Sequence, residues 1–537
     1  MLHDNVSVAA NVVWFKKDLR LDDHAPLRHA VAAGPTIGLF VIEPSLLRQP
    51  DVSSLHWNFI LPSLRELQQA LALLNITLWV AVAEVVPVLQ FLHDRNGLAG
   101  LWSHAETGND GSYQRDKAVK RWIRQQHITW TETASGGVRR PHPSRDGWAS
   151  NWQRTMAVPA LPRPPAQATT VELDFADNPV GLSTEIPADA SQLGLPDLGH
   201  VIDLQPGATA ALAMLTSFCN QRGRDYLTAV SSPTRSWSAS SRLSPYLAYG
   251  CISLRTVVQA VNARLALAQA EQDAHFVAAL TAMRSRVAWR CHFVQKLEDE
   301  PRYEFENIHR AHDGMRCEQQ DQLSAREQRL LRAWCAGQTG FPLIDAVMRC
   351  LLATGWINFR MRAMLVSFAS YDLWLHWRPV ALHLARNFID YDPGIHYPQI
   401  QMQAGTTGSN TLRMYDPRKQ QRDHDASGEF VKTWVPQLRP LPADCLAAPW
   451  QMPRGLQQRY GVVIGRDYPA PVVDHVAAIR HAKQAFDAIR RGRDFRQETA
   501  ALVHKHGSRK GMTARSAVPS AEQALALAMH PPQPRRR

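Results

Sequence analysis

Short apolar segments alternate with helical patterns over residues 10–130 of the 537-residue chain. The apolar segments read NVVWF, IGLFVIE, ITLWVAVA, GLWSHAE and HITWTET. Between the second and the third, Leu61, Leu64, Leu67 and Leu71 recur at helical spacing and predict a helix that connects two strands. Strands that alternate with helices in this way are typical of a parallel sheet, so we expect an α/β region with a doubly wound, Rossmann-like sheet.

The pattern changes where the chain becomes rich in proline and alanine, from about Ala157 to Pro206. Long, weakly periodic segments of this kind are typical of a linker that lies on a surface. Beyond it, strand-type alternation nearly disappears and helical windows such as VAALTAMRSRVAWRCHFVQKL recur, which predicts an all-α domain. The predicted organisation is an α/β domain over residues 10–140, a linker over 141–206, a helical domain over 207–485 and a basic, flexible tail over 486–537.

The composition is that of an ordinary globular protein, with 45% hydrophobic and 20% charged residues. The sequence has no apolar stretch of about 18 residues and does not begin like a secretory leader, so we expect no membrane span and a cytoplasmic location. The seven cysteines are scattered and never spaced as Cys-x-x-Cys. This spacing argues against a disulfide framework and against a zinc or iron–sulfur site, and we predict no metal.

The charge balance adds a candidate partner, because lysine and arginine number 60 against 48 aspartate and glutamate residues, a formal net charge of +12. Such an excess favours a polyanion, with nucleic acid as the leading candidate. Part of the excess lies in the basic segments IRRGRDFR, HKHGSRKG and PRRR after residue 486, where solvated charge needs no partner. Charge alone therefore makes nucleic acid plausible and no more.

Common catalytic signatures are absent from the sequence, which has no Gly-x-Ser-x-Gly elbow, Walker A loop, His-Glu-x-x-His motif or Gly-x-Gly-x-x-Gly after a strand. Instead, aromatic, arginine and aspartate residues concentrate between residues 286 and 434, and the chain holds 16 tryptophans. Large aromatic residues usually pack in a core. Here they share helical segments with charged residues, and buried charges need partners or a polar cofactor.

Several motifs follow one another in this part of the chain: SSRLSP from Ser240, Trp289-Arg290, GFPLIDAVMR from Gly340, Gly355-Trp356 and Asp390-Tyr391-Asp392. In this order they resemble the FAD-binding domain of the DNA photolyase/cryptochrome family, in a class I-like pattern. The opening VVWFKKDLRLDDH at residues 12–24 is similar to the start of the family's antenna domain. The resemblance spans residues 10–450, and an ordered set of motifs is far more specific than any one of them.

The resemblance implies that the helical domain binds one FAD. The hydroxyls of Ser240, Ser241 and Ser244, with backbone N–H groups at a helix start, would bind its pyrophosphate. A simple N-cap needs one hydroxyl, so three hydroxyls in this short segment favour a phosphate site. Arg362 and Asp390 match the family's ion pair beside the flavin ring, and they would tune the electronic properties of the flavin. The competing interpretation of these two residues is a surface salt bridge. The other implied cofactor contacts are Tyr226, Arg242, Leu243, Arg290, Trp356, Tyr391 and Asp392.

On the substrate side, the resemblance implies that Trp289 forms an aromatic wall on which a flipped pyrimidine dimer stacks, with a buried core tryptophan as the competing interpretation. His396 stands where an asparagine commonly faces flavin N5, and it allows a different proton chemistry there. Arg286 replaces the family's dimer-binding glutamate, and Met402 replaces its second stacking tryptophan, which weakens the case for any particular lesion. The predicted DNA contacts are Trp289, Met402 and, for the phosphates, Arg349 and Arg360.

The family's electron-transfer tryptophans are only partly matched. Counted without gaps from Trp377 through Asp390, the flavin-proximal position falls on Ile400, and no tryptophan lies at the distal position near residue 324. The usual chain of three tryptophans is therefore predicted to be broken, with Trp377 at its middle position. The open alternatives for a substitute donor are Trp356, Trp374, Tyr391 and Tyr397.

The resemblance thus implies a light-dependent lyase that repairs pyrimidine dimers by electron transfer from excited FADH⁻. Its partner would be damaged duplex DNA with a flipped dimer, and we expect a monomer. The alternative is a cryptochrome-type blue-light photoreceptor without repair activity, and a third hypothesis is a light-independent nucleic-acid binder with a structural flavin. The resemblance also allows a second, antenna chromophore, a folate or a deazaflavin, near Glu106 and Asp116.

Overall fold

The computed structural model describes residues 9–140, 145–173, 177–492 and 494–507. Within these residues, the strands of the sheet are β1 (Ala10–Phe15), β2 (Thr36–Val41), β3 (Leu78–Ala81), β4 (Leu98–His104) and β5 (Trp130–Thr133). Their order is β3-β2-β1-β4-β5, and neighbouring strands are parallel. Every residue of β1 is buried, as is typical of a strand covered by helices on both faces of a sheet. This is the doubly wound α/β arrangement that the sequence predicts.

The helices that accompany the sheet are α1 (Ala25–Ala33), α2 (Pro44–Leu47), α3 (Ser54–Ala72), α4 (Val85–Asn96) and α5 (Asp110–Gln125). The chain passes from β1 outward to β2 and β3, and it returns on the other side of β1 with β4. Ligands of such sheets commonly bind where the direction of winding changes, at the carboxyl ends of the strands. Here Lys16, Asp18 and Glu106 surround a small cavity of about 110 Å³ at that position.

The rest of the described chain is mainly helical, as predicted. Its helices are α6 (Trp148–Ala157), α7 (Ala208–Asn220), α8 (Tyr226–Ala229), α9 (Ser236–Ala239), α10 (Ser244–Ala248), α11 (Leu254–Ala270), α12 (Ala274–Asp299), α13 (Ala325–Cys335), α14 (Pro342–Thr354), α15 (Phe359–Ser367), α16 (Trp377–Asn387), α17 (Pro393–Ala404), α18 (Pro417–His424), α19 (Glu429–Trp434), α20 (Ala443–Leu446), α21 (Arg454–Arg459), α22 (His475–Arg490) and α23 (Phe495–His506). None of the described helices is both long and apolar enough to cross a membrane.

Two parts of the predicted organisation differ from the helices observed. Inside the predicted linker, α6 buries Trp152 and Met156 against the core. These two apolar residues lie on one side of the helix among polar neighbours, so the sequence pattern did not reveal the helix. The predicted flexible tail begins within α22, and α23 follows it. Phe486 and Phe495 are buried on these helices, an apolar signal that the surrounding basic residues obscured. Residues 508–537 lie outside the described part, and the division of the chain into domains stays a prediction.

Helices α12 and α17 pack against each other, and residues of both line a cavity in the helical half of the chain. A side chain at Gly394 would place its Cβ only 2.8 Å from the Cα of Val294, so glycine allows α17 to begin directly against α12. The Asp392 carboxylate caps α17 by accepting a hydrogen bond from the Gly394 N–H, and Pro393 occupies the first helical position. This short stretch therefore fixes where α17 starts.

Candidate cofactor and substrate cavity

A cavity of about 580 Å³ lies between the helices of the C-terminal half, in the size range of a site for a cofactor or drug-sized ligand. One wall is a stripe along α12 at helical spacing, formed by Arg286, Trp289, Phe293 and Lys296. The cavity brings together most of the residues predicted from the sequence, namely Tyr226, Ser240, Ser241, Arg242, Leu243, Ser244, Trp289, Arg290, Trp356, Arg362, Asp390, Tyr391, Asp392, His396 and Met402.

The serine segment forms one end of the cavity. Its backbone passes through a left-handed conformation at Arg242, with φ of 54°. Left-handed residues within such a segment turn successive N–H groups toward one side, which makes a concave site for an anion. Arg222, which does not line the cavity, donates hydrogen bonds to the carbonyl oxygens of Ser240 and Ser241. Sequence reasoning missed Arg222, which carries no motif of its own.

Arg242 supplies a buried cation at this end. Its guanidinium lies 4.4 Å from the ring centroids of both Trp237 and Trp356, and these two rings contact each other edge-on at 4.9 Å. Burial lowers the pKa of Arg242 to about 10, so it stays charged at neutral pH. Its Nε has no hydrogen-bond partner in the part of the chain that the structure describes. A buried cation with an unfilled donor, beside three serine hydroxyls, fits a pyrophosphate group.

Arg286 adds a second cation near the same end, because its guanidinium lies 4.9 Å from the ring centroid of Tyr226. Both residues line the cavity. The arginine that replaces the family's acidic residue therefore lies beside the predicted phosphate contact. Its position favours an anion there, not a neutral base.

Arg362 and Asp390 form the predicted ion pair in the middle of the cavity wall. Two parallel hydrogen bonds of 2.9 Å join the guanidinium to the carboxylate, and the Asp390 side chain is 5% exposed, which excludes a surface salt bridge. Burial alone would raise the pKa of Asp390, but the charge and hydrogen bonds of Arg362 outweigh it and leave that pKa below its ordinary value. A hydrogen bond with the Ser244 hydroxyl ties the pair to the serine segment.

Asp392 forms a second ion pair, with Arg290, at 2.6 Å. Arg290 also donates to the Leu247 carbonyl, so it connects α12, α10 and the start of α17. Because Asp392 caps α17 as well, the same carboxylate both places the helix and presents charge to the cavity.

Trp289 lies on the wall beyond these pairs. It is half-buried, and its ring meets that of His292 edge-on at 4.9 Å. A half-buried indole on a cavity wall agrees better with a stacking surface than with a core tryptophan. Met402 lies on the opposite helix, α17, and lines the same cavity.

His396 is neutral in this environment, because burial lowers its pKa to about 4. Its Nε2 lies 2.9 Å from the Ala381 carbonyl oxygen, which can only accept, so Nε2 carries the proton. The Nδ1 atom is left as an acceptor on a residue of the cavity wall. An asparagine amide at this position could donate, whereas this imidazole nitrogen accepts a hydrogen bond.

Sequence profiles of known families match both halves of the chain. The profile described as DNA photolyase matches residues 11–144, and the profile described as the FAD-binding domain of DNA photolyase matches residues 283–488. Together they take in the sheet and the α12, α15 and α17 walls of the cavity. The chain belongs to the DNA photolyase/cryptochrome family.

Photolyase/cryptochrome relatives match this chain over most of its length. The deoxyribodipyrimidine photo-lyase of Alkalihalophilus pseudofirmus is 26% identical over 497 residues, covering 87% of this chain and 96% of the relative. Cryptochrome DASH of Natronomonas pharaonis is 27% identical over 485 residues, covering 86% and 98%. The crystal structure of a class III photolyase from Agrobacterium tumefaciens shares the fold, with a TM-score of 0.77 and 24% identity over 91% of this chain and 100% of that one.

Two predicted DNA contacts of this photolyase/cryptochrome family member lie away from the cavity. Arg360 is 3% exposed on α15, close to the Tyr415 ring. Arg349 donates to the Gly337 carbonyl and to the Gln437 side chain, so its guanidinium is used within the fold. Neither arginine lines the cavity, and a role for them as phosphate contacts stays a prediction.

The aromatic residues behind the cavity also differ from the expected chain. Trp377 is fully buried, donates from Nε1 to Asn307 at 2.9 Å, and does not line the cavity. Its ring lies 6.3 Å from Tyr397, which in turn lies 6.5 Å from Tyr391 on the cavity wall. Ile400 packs in the core and does not line the cavity. The aromatic contact nearest the ligand along this path is therefore a tyrosine.

Asp51, which sequence reasoning missed, reaches these tyrosines from the α/β half of the chain. Its Oδ2 accepts a hydrogen bond from the Tyr391 hydroxyl at 2.5 Å and lies 3.4 Å from the Tyr397 hydroxyl. It is 1% exposed. No local motif announces such a residue, since it is separated from its partners by more than 300 positions in the chain.

The predicted antenna residues Glu106 and Asp116 both bind Arg115, which also contacts Glu43. Burial would raise the pKa of Glu106, but the charge of Arg115 outweighs it and lowers that pKa to about 2. These carboxylates are thus held in an internal network. A cavity of about 510 Å³ adjoins it, lined by Glu43, Glu84 and Arg115 among others.

Asp18, His24 and His104 form a buried cluster of metal-ligand types at the switch point of the sheet. Both imidazoles contact Asp18 Oδ2 directly, at 3.0 and 2.8 Å. His24 accepts from the Leu27 N–H with Nδ1, so its Nε2 carries the proton that Asp18 receives. The cluster is closed by these hydrogen bonds and offers no free nitrogen of His24 to a cation.

Proposed function

We propose that this protein is a light-dependent flavoprotein that splits pyrimidine dimers in DNA. The observation that carries the proposal is a single cavity that combines a phosphate-binding end, the Arg362–Asp390 pair and the half-buried Trp289. The chemistry that bound FAD supplies is light-driven electron donation. Relatives named deoxyribodipyrimidine photo-lyase support the same activity.

Each group of residues has a role in this proposal. The serine segment, Arg242 and Arg286 bind the pyrophosphate, and the Arg362–Asp390 and Arg290–Asp392 pairs place charge and hydrogen bonds beside the flavin. Trp289 and Met402 receive the flipped lesion, which enters a site that excludes water. His396 offers an acceptor to the ring edge. The partner is damaged DNA bound by a monomer; this oligomeric state and a cytoplasmic location stay predictions.

A photoreceptor without repair activity is the second candidate function. Relatives named cryptochrome DASH support it, and so does the substrate side of the cavity, where Met402 offers a flexible thioether in place of a stacking ring. The antenna chromophore also stays a prediction, for which the α/β half offers the cavity beside Arg115. Protein purified from its native host should show a folate or deazaflavin absorption band if that prediction is right.

The deciding experiment is a repair assay. Purified protein with reduced FAD is illuminated with an oligonucleotide that contains one pyrimidine dimer, and dimer loss is followed by chromatography. We expect loss that depends on light. Trp289→Ala should weaken dimer binding by about 1–3 kcal/mol, the value of one lost base–aromatic stack. Trp434→Ala, a half-buried tryptophan outside the cavity, is the control. Bound FAD without light-dependent dimer loss would favour the photoreceptor.

A further inference from the structure

The hydroxyl of Tyr391 connects the cavity wall to a buried carboxylate. Tyr391 lines the cavity between Asp390 and Asp392, the two carboxylates that the proposed function places beside the flavin. Its hydroxyl donates a hydrogen bond of 2.5 Å to Asp51 Oδ2, and Asp51 itself lies outside the cavity. A bond this short is typical of an O–H donor and an ionised acceptor. The phenolic proton of Tyr391 is therefore already directed at a base.

The hydrogen-bond donors around Asp51 are uncharged. Oδ2 accepts from the Tyr391 hydroxyl, from the Tyr397 hydroxyl at 3.4 Å and from Asn109 Nδ2 at 3.1 Å. Oδ1 has no hydrogen-bond partner in the part of the chain that the structure describes. Asp51 is 1% exposed, so water does not screen its charge either. Uptake of one proton by Asp51 would remove this buried charge.

Two histidines beside the Tyr391 ring are poorer proton acceptors. His56 stacks on this ring at 5.6 Å, and both of its ring nitrogens are engaged by backbone groups. His396 meets the ring edge-on at 5.2 Å. Burial lowers the pKa of each histidine to about 4, which makes both weak bases. Burial and the neighbouring Tyr397 and Asp51 hold the pKa of Tyr391 well above its ordinary value, so the phenol keeps its proton in the dark.

We propose that Asp51 takes up the phenolic proton of Tyr391 when Tyr391 gives an electron to light-excited, oxidised FAD. The O–H bond of Tyr391 breaks and an O–H bond forms at Asp51 Oδ2, so the tyrosine becomes a neutral radical and Asp51 a neutral carboxylic acid. A thiolate reductant in solution later gives an electron back to this radical and becomes a thiyl radical, while Asp51 returns the proton.

The base matters because an oxidised phenol is a strong acid. Loss of the electron alone would leave a positive charge on a buried ring, whereas a base within hydrogen-bond reach removes the proton in the same step. The inference rests on the proposed light-dependent function, but not on the repair of a lesion. It assigns Asp51, from the α/β half of the chain, a role in the chemistry of the helical half.

The first test follows the proton. In the full-length, FAD-loaded protein, light-induced infrared difference spectra should show the carbonyl band of a newly protonated carboxylic acid, and heavy water should shift it. Asp51→Asn should abolish this band. Asp345→Asn is the matched control, because Asp345 accepts a hydrogen bond of 2.5 Å from the buried Tyr468 hydroxyl outside the cavity, and it should keep the band. Absence of the band in the parent protein, or its survival in Asp51→Asn, would overturn the inference.

The second test follows the rate of photoreduction of oxidised FAD. Asp51→Asn should lower this rate about 100-fold, at the lower end of what a well-placed general base contributes, and should remove the slowing caused by heavy water. FAD content, measured by absorbance, should stay that of the parent protein, because Asp51 does not line the cavity. In a Tyr391→Phe background, Asp51→Asn should change the rate no further. An unchanged rate in Asp51→Asn, or additive effects of the two substitutions, would overturn the inference.

The repair assay separates this inference from the proposed function. When FAD has been reduced chemically, no electron is needed from Tyr391, so dimer loss does not depend on the proton step at Asp51. Dimer loss in the parent protein with an unchanged infrared band in Asp51→Asn would retain repair and overturn the role of Asp51. A band that Asp51→Asn abolishes, without any light-dependent dimer loss in the parent protein, would retain that role and overturn the repair function.

Discussion

Asp390→Ala removes the carboxylate that meets Arg362 in two hydrogen bonds of 2.9 Å. Removing one member of a buried ion pair costs about 3–5 kcal/mol, because the other charge is left without its partner. Arg362 is 22% exposed, keeps its hydrogen bond to the Ile357 carbonyl and still rests 4.1 Å from the Phe388 ring centroid. We therefore expect the lower end of that range, about 3 kcal/mol of lost stability.

Equilibrium unfolding in guanidinium, followed by tryptophan fluorescence, measures this cost, and absorbance after gel filtration measures retained FAD. Asp390→Ala should unfold at lower denaturant and lose FAD, because the carboxylate also holds Ser244 of the serine segment. Asp423→Ala is the matched control: its pair with Lys419 is exposed on both sides and is worth at most about 0.5 kcal/mol. An unchanged midpoint and full FAD content in Asp390→Ala would refute the importance of the pair.

The same pair predicts a pH dependence of stability. Because the folded protein lowers the pKa of Asp390, its contribution is fully present above the pKa of the unfolded chain, about 3.9. It is lost as the pH falls through the lower folded value. The stability difference between the parent protein and Asp390→Asn should therefore be constant near neutral pH and shrink in acid. A difference that grows in acid would show that the carboxylate is not stabilised by Arg362.

Three further substitutions test two parts of the site and one buried carboxyl outside the cavity, Glu304, which accepts a hydrogen bond from the Asp110 N–H. Burial raises the pKa of Glu304 to about 7, so the free energy of unfolding of the parent protein should fall by about 3 kcal/mol as the pH rises from 4.5 past 7. Glu304→Gln should remove this pH dependence, which equilibrium unfolding at pH 5 and pH 8 measures. Arg242→Met should weaken FAD about tenfold or more in a fluorescence titration, because a charge-assisted hydrogen bond is worth about 1.5–3 kcal/mol. Tyr391→Phe should slow the photoreduction of oxidised FAD and abolish a tyrosyl EPR signal. Ile400→Trp should not accelerate photoreduction. Acceleration by Ile400→Trp would show instead that a tryptophan at position 400 can pass electrons to the flavin.

The sheet could be predicted because its signal is local. Five apolar segments separated by helical patterns leave few alternatives to a parallel sheet, and β1 is buried at every position as such a pattern requires. The serine segment at one end of the cavity could be predicted because its residues are contiguous from Ser240 to Ser244. Arg222, which holds the carbonyls of this segment, carries no such signal. Arg222 reaches these carbonyl oxygens only because the fold brings it close to the serine segment.

The burial of Arg360 and of α23 was not visible in the sequence for a different reason. Arg360 was taken for a surface cation, but it lies on a helix whose faces are nearly all buried, so charge in the sequence did not report exposure. α23 was hidden for the reverse reason, since its buried Phe495 and His506 lie among basic residues that are typical of a solvated tail. Composition averages over a segment, whereas burial is decided residue by residue by what packs against it.

Residue 400 shows what the spacing of motifs along the sequence can predict and what it cannot. Counting places Ile400 correctly on α17, but a helix turns about 100° per residue, and the cavity meets the face of Ile395, Gln399 and Met402. Ile400 falls on the neighbouring face with Tyr397, in the core. An aromatic residue there reaches the ligand only through a second ring on the cavity wall. Tyr391 is that ring, and its hydroxyl is bound by a carboxylate from the other half of the chain. The sequence alone could identify the missing tryptophan, whereas the contacts of Tyr391 with Tyr397 and Asp51 became visible only in the packing of the two halves.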